Sequence, residues 1–201
     1  MVGAAEWSVE AGAASVAVSG VRPYAAKQNF PRNDSPHIAA GFVRLAHSAG
    51  ARWSLGLAYT YYQKLEGSGA SPSSDVFNRG GTAATVVVPL KSFERVHEFS
   101  LDARYRWQLS AHVQLEAGPV VSYFRSRAEI GSDLRISAPG GVPVEYYSRL
   151  GEFTGNDLRL GAGGAVTWVL SPRWETRVGY RVAAPPNRTL QHISVALNWG
   201  F

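Results

Sequence analysis

Residues 190–201 read LQHISVALNWGF, and the fold turns on how this stretch alternates. Ile193, Val195, Leu197, Trp199 and Phe201 make an apolar, increasingly aromatic row, while His192, Ser194, Ala196, Asn198 and Gly200 make a small or polar one. A period of two is that of a β-strand with two unlike faces. The stretch stops on an aromatic residue rather than in a polar tail, so it is expected to be part of the framework.

The same alternation recurs through the chain. Strands are expected at residues 7–19, 37–48, 52–66, 93–109, 113–126, 157–171 and 174–183, with 190–201 as the eighth. In the fourth, Phe93, Phe99, Leu101, Ala103, Tyr105, Trp107 and Leu109 share a face broken only by Arg95 and His97, opposite Glu94, Glu98, Ser100, Asp102, Arg104, Arg106 and Gln108. Residues 20–36, 67–91 and 127–156 are rich in Gly, Pro, Ser and Asn and read as long connections. The apolar patch 85–88 reads equally as a short separate strand or an upward extension of the fourth strand. Ala138-Pro139-Gly140-Gly141 between two β-like runs suggests a protruding hairpin. The shortest links, near residues 49–51, 110–112 and 171–173, all fall at one end.

Composition narrows the class. The 201 residues suit one domain, 1–201, and 17% are charged, below the ~25% of ordinary soluble domains. The net charge of +5 comes from scattered bases rather than a basic run, which argues against a nucleic-acid partner. No cysteine is present, which excludes a disulfide framework or a Cys-based zinc site. No run of ~18 apolar residues offers a transmembrane helix, but a spanning β-strand needs only ~9–11 residues with every second one facing lipid. Met1 to Ala5 is set outside the fold argument, and no signal peptide is expected there.

Strand count alone does not separate a soluble eight-stranded barrel from a membrane one; the placement of charge does. Pointed inward, the apolar rows would crowd Trp, Tyr, Leu and Val from every strand into an interior just wide enough for side chains. Pointed outward to lipid, they need no partner. The expected fold is therefore an all-β, antiparallel, up-and-down transmembrane barrel of eight strands, with short turns at one end and long loops at the other. Trp7, Trp53, Trp107, Trp168, Trp174 and Trp199 then all land outside at one membrane boundary, as an aromatic girdle. Tyr59, Tyr61, Tyr123 and Tyr180 are candidates for the opposite belt.

The other face fills the lumen. Glu10, Glu98, Asp102, Glu116 and Glu175 oppose Arg44, Arg104, Arg106, Arg159, Arg177 and Arg181, a nearly neutral set expected to pair, since either sign is costly to bury alone. Keeping parity through the 109–113 turn puts Arg106 opposite Glu116.

On these residues the chain resembles the small eight-stranded outer-membrane proteins of Gram-negative bacteria, of the OmpA, OmpX and OmpW type, over nearly its whole length. The resemblance implies a monomer in the bacterial outer membrane, with outer-membrane lipid and lipopolysaccharide around it. It also implies that Ile193, Val195, Leu197, Trp199 and Phe201 form the C-terminal signal read by the outer-membrane assembly machinery. The expected role is structural or in surface interaction, carried by the outer loops, without enzyme activity or cofactor.

Two other readings have definite requirements. A narrow channel for small or apolar solutes needs free bore, which eight strands leave little of. His192 and Ser194 resemble the catalytic pair of outer-membrane lipid A deacylases, but parity turns them inward and no acid is evident at their height. Basic residues near the outer rim, Arg22, Lys27, Arg32, Arg79, Lys91, Arg125, Arg127 and Arg149, are suited to lipopolysaccharide phosphates. No metal-site or phosphate-loop spacing occurs, and the five histidines are scattered.

Overall fold

The computed structural model describes residues 7–19, 37–50, 52–72, 87–136, 144–183 and 189–201. Its strands are β1 (Trp7–Ser19), β2 (His37–Ala49), β3 (Trp53–Tyr62), β4 (Leu65–Pro72), β5 (Val87–Gln108), β6 (Val113–Ile136), β7 (Val144–Val169), β8 (Trp174–Ala183) and β9 (Thr189–Gly200). Every pairing is antiparallel, in the order β3-β2-β1-β9-β8-β7-β6-β5-β4, and β3 also pairs with β5. That last seam closes the sheet into a barrel. Because β3 and β4 both run along β5, they are one stave in two pieces, and the barrel has eight staves.

The expected third strand is thus interrupted, and the reason is one extra residue. Tyr61 pairs with His97 and Leu65 with Glu94, so four steps on one strand match three on the other. Such a bulge bends a strand and shifts its register. Three strands also run further than their alternation showed: β5 begins at Val87, β6 continues to Ile136 and β7 begins at Val144. The patch at 85–88 is therefore, in its described part, an upward extension of the fourth stave. The described parts of the 127–156 segment pair with each other as expected of a hairpin, up to Ile136 opposite Val144; residues 137–143, with Ala138-Pro139-Gly140-Gly141, lie outside the described residues.

Small side chains shape the tight end. Ser110 Oγ accepts the amides of His112 and Val113 at 3.3 and 3.1 Å, and Ser171 Oγ accepts those of Arg173 and Trp174 at 3.4 and 3.2 Å. A serine hydroxyl thereby replaces ladder bonds where the backbone reverses. β9 closes on β1 in the register Trp199 with Val9 and Leu197 with Ala11, and the Phe201 amide and carbonyl both bond Trp7.

Alternation decides the two faces. On β3 every odd residue from Trp53 to Tyr61 is exposed and every even one from Ser54 to Tyr62 is buried. Leu101, Leu158, Leu160, Ile193 and Val195 all stand more than half exposed on the outside. Leaving such a belt in water would forgo roughly 1.5–3 kcal/mol for each large side chain, so its solvent is lipid. All six tryptophans lie on this outer face, near the ends that carry the short turns; Trp174 and Trp199 are directly paired across β8 and β9. Tyr59, Tyr61, Tyr123 and Tyr180 are likewise outward and exposed.

Candidate lumenal site

Six charged side chains from five strands meet across the lower lumen. Arg44 on β2 grips Asp102 on β5 with two bonds, Nε at 2.9 Å and Nη2 at 2.6 Å, and also donates to Ser54 Oγ at 3.2 Å. Arg104 lies 3.0 Å from the same carboxylate and 3.8 Å from Glu116 on β6. Glu116 accepts a close bond from Arg177 on β8, which donates to Glu10 on β1 at 2.7 Å; Glu10 in turn lies 3.5 Å from Arg44. The circuit Arg44–Asp102–Arg104–Glu116–Arg177–Glu10 closes on itself with alternating sign. No charge in it depends on a single partner, which is what allows such groups inside a barrel.

Local sequence makes room for it. Arg44 lies across Gly56, where a Cβ would fall 2.3 Å from the guanidinium Nε, so a larger residue there would push the arginine head out of its place on Asp102. Arg106 and Glu116 are cross-strand partners 2.9 Å apart, and Arg106 extends the ring toward the tight end.

Above the ring is a second polar group. Glu98, fully buried, accepts from Arg181 at 2.7 Å and closely from the Tyr62 hydroxyl. Tyr62 also lies 3.3 Å from His192 Nε2, and Arg181 contacts both nitrogens of that ring. A guanidinium only donates, so His192 presents a lone pair to it. A cavity of about 60 Å³ separates the two groups, bordered by Arg104, Arg177, Arg181 and Ser194.

Above these charged groups part of the lining is apolar, which the expected set of lumenal charges did not include. Val16, Ile38, Val96, Phe124, Ala183 and Leu190 form a buried cluster with the Tyr62 ring, whose centroid is 6.3 Å from that of Phe124. Tyr62 joins the layers, ring in the plug and hydroxyl on Glu98. Tyr62 ends the inward row Ser54, Gly56, Ala58, Thr60, and the signal of its role in the sequence is that it is the one large amphipathic residue there.

The remaining lumenal residues stand outside the ring. Glu175 accepts from Asn198 at 2.9 Å, and Arg159 pairs with Asp157 two residues away on its own strand. His192 and Ser194 both face inward, but Ser194 Oγ donates to the Gly179 carbonyl at 3.4 Å rather than to the histidine. The expectation that no acid lies at this height needs correction: Glu98 is there, engaged by Tyr62 and Arg181. It joined no motif in sequence because it sits 94 positions from His192.

Of the rim bases, Arg22, Lys27, Arg32 and Arg79 lie outside the described residues. Arg127 pairs closely with Glu152, and Arg149 with both Glu152 and Glu129. A register shift between Ile130 and Gly131 places Arg149 opposite Gly131, beside these two acids. The Arg127 hydrogen bond holds the Glu152 carboxyl below the usual glutamate range, with the Arg149 charge adding to it.

No family model matches the chain, and no curated protein matches it. Solved structures do. The attachment invasion locus protein Ail of Yersinia pestis superposes with a TM-score of 0.54 over 98% of this chain and 99% of its own, at 9% identity. Neisserial surface protein A superposes with a TM-score of 0.53 over 99% of both chains, at 16% identity. At such identities the likeness speaks for architecture, and with the lipid-facing belt and filled lumen it makes the chain an eight-stranded β-barrel of the outer-membrane type.

Proposed function

We propose that the protein is a resident of the bacterial outer membrane with a structural or surface-interaction role, and that its lumen does not conduct. The observation that carries this reading is the double closure of the interior: an ion-paired ring across the tight end and an apolar plug toward the other. A hydrated ion would have to separate partners about 3 Å apart and then pass the apolar cluster around Val16, Ile38, Val96, Phe124 and Leu190, and both steps are costly. Contacts with other molecules therefore fall to the upper strands of β4 to β7 and to the connections beyond them. The names of the two superposable proteins, one an attachment protein and one a surface protein, agree with such a role. In this reading the outward row Ile193, Val195, Leu197, Trp199 and Phe201 is also what the assembly machinery reads.

Single-channel recording in planar bilayers tests the closed lumen. Purified protein is expected to give no reproducible conductance steps. Regular steps that change size when Arg106 is replaced by alanine would mean an ion path past the ring, and the channel reading would replace this one.

A further inference from the structure

The outward face of β5 and β6 holds an arrangement that folding alone disfavours. Arg95 is the cross-strand partner of Arg127, and His97 that of Arg125, in two successive outward-facing pairs. Like charges directly opposite one another destabilise a sheet. One carboxylate, Glu152, answers Arg127. Arg95 and Arg125 are exposed, with no ion pair among the described residues.

Their height is as informative as their charge. Directly below them the same face carries Phe99 with Tyr123 and then Leu101 with Val121, the upper lipid belt. Twelve residues separate Arg95 from Trp107 in the opposite girdle, which at ~3.3 Å per residue and ~40° tilt is roughly 30 Å. The arginines thus stand at headgroup level, where an outward charge costs little, whereas near the midplane it would cost heavily. Neighbours shape the site. Tyr59 OH meets His97 Nδ1 at 2.7 Å, and the exposed Asn156 lies across from Arg125 on β7.

We infer that Arg95 and Arg125 form a binding site for the phosphate groups of an outer-leaflet glycolipid, with Arg127 and His97 beside them. A phosphate monoester carries about −1.5 to −2 charges and three acceptor oxygens, so it suits adjacent uncompensated guanidinium groups better than the single negative charge of a phosphodiester headgroup. The lipid chains would lie along Phe99, Tyr123 and Val121. This site deepens the outer-membrane reading and rests on it.

The test is native mass spectrometry of the detergent-solubilised protein with three probes: bisphosphorylated lipid A, the same lipid dephosphorylated, and phosphatidylglycerol. The wild type is expected to bind the first about tenfold or more tightly than either other lipid, and the double variant Arg95→Gln/Arg125→Gln to lose that preference. Arg173→Gln, the same loss of charge at the tight end, is expected to keep it. Equal binding of the dephosphorylated lipid, equal binding of phosphatidylglycerol, an unaffected double variant or an equal loss in Arg173→Gln would each overturn the site. The compact barrel's faster gel migration before heating is followed in parallel, so loss of the site alone is distinguished from failure of the barrel reading itself.

Discussion

Replacing Arg44 with alanine is expected to lower the unfolding free energy by about 3–5 kcal/mol, the cost of leaving buried carboxylates without their partner. Arg44 is 2% exposed and serves Asp102, Glu10 and Ser54 together, two of them buried carboxylates of the ring. Its loss leaves Asp102 with Arg104 alone and Glu10 with Arg177 alone. Urea unfolding in detergent, followed by tryptophan fluorescence, reads the change. The double variant Arg44→Met/Asp102→Asn is expected to lose less than the single one, because it removes the carboxylate that the single variant strands. Glu10 keeps Arg177 in that variant, and Arg104 keeps Glu116. If the double variant were as unstable as the sum of its parts, these residues would be acting independently, and the ring would not be a unit.

Gly118→Ala is the second large effect, and it acts through the backbone. Between the pairs Asp102 with Val120 and Tyr105 with Ala117, the seam of β5 and β6 lacks regular pairing. Gly118 and Pro119 sit in that gap. Proline has no amide to donate, and a Cβ on Gly118 would fall 1.8 Å from the Ala103 carbonyl oxygen. A backbone oxygen cannot swing aside as a long side chain can, so the strands must part next to the stretch holding Asp102 and Arg104. The expected loss is about 2–3 kcal/mol by the same urea titration. Gly41→Ala is the control: nothing lies within 4 Å of its added carbon, so its change should stay within about 0.5 kcal/mol. Equal effects of the two substitutions would show that the seam is not tight at Gly118.

What could be read from sequence was what a period of two carries. Residues 53–62 and 190–201 gave their faces directly, and parity through the turn at residues 109–112 was enough to set Arg106 against Glu116. What escaped depends on height rather than face. Whether Val16, Val96, Phe124 and Leu190 share one layer depends on the stagger between strands that are not neighbours in sequence. Val96 and Phe124 each stand between polar residues of their own row, Glu94 and Glu98 or Ser122 and Ser126, so alternation alone does not group them. The ring had the same difficulty: its members were visible as inward charges, but its closure requires β1, β2, β5, β6 and β8 at one level. The bulges at residues 62–65 and 130–131 shift register by one residue, and no alternation continues across them to announce it. Arg95 appeared only as a blemish on an apolar face until β6 brought Arg127 opposite it.

The central claim is that one set of alternate residues faces lipid and the other a filled lumen, and β9 offers the most direct test. The chain has no cysteine, so single cysteines at positions 192–198 can each carry a nitroxide label without competing thiols. In lipid bilayers, collision rates with oxygen, which concentrates in the hydrocarbon, are expected to be high at 193, 195 and 197. They should be low at 192, 194, 196 and 198. Low oxygen collision at the odd positions, as in a packed protein core, would contradict the account.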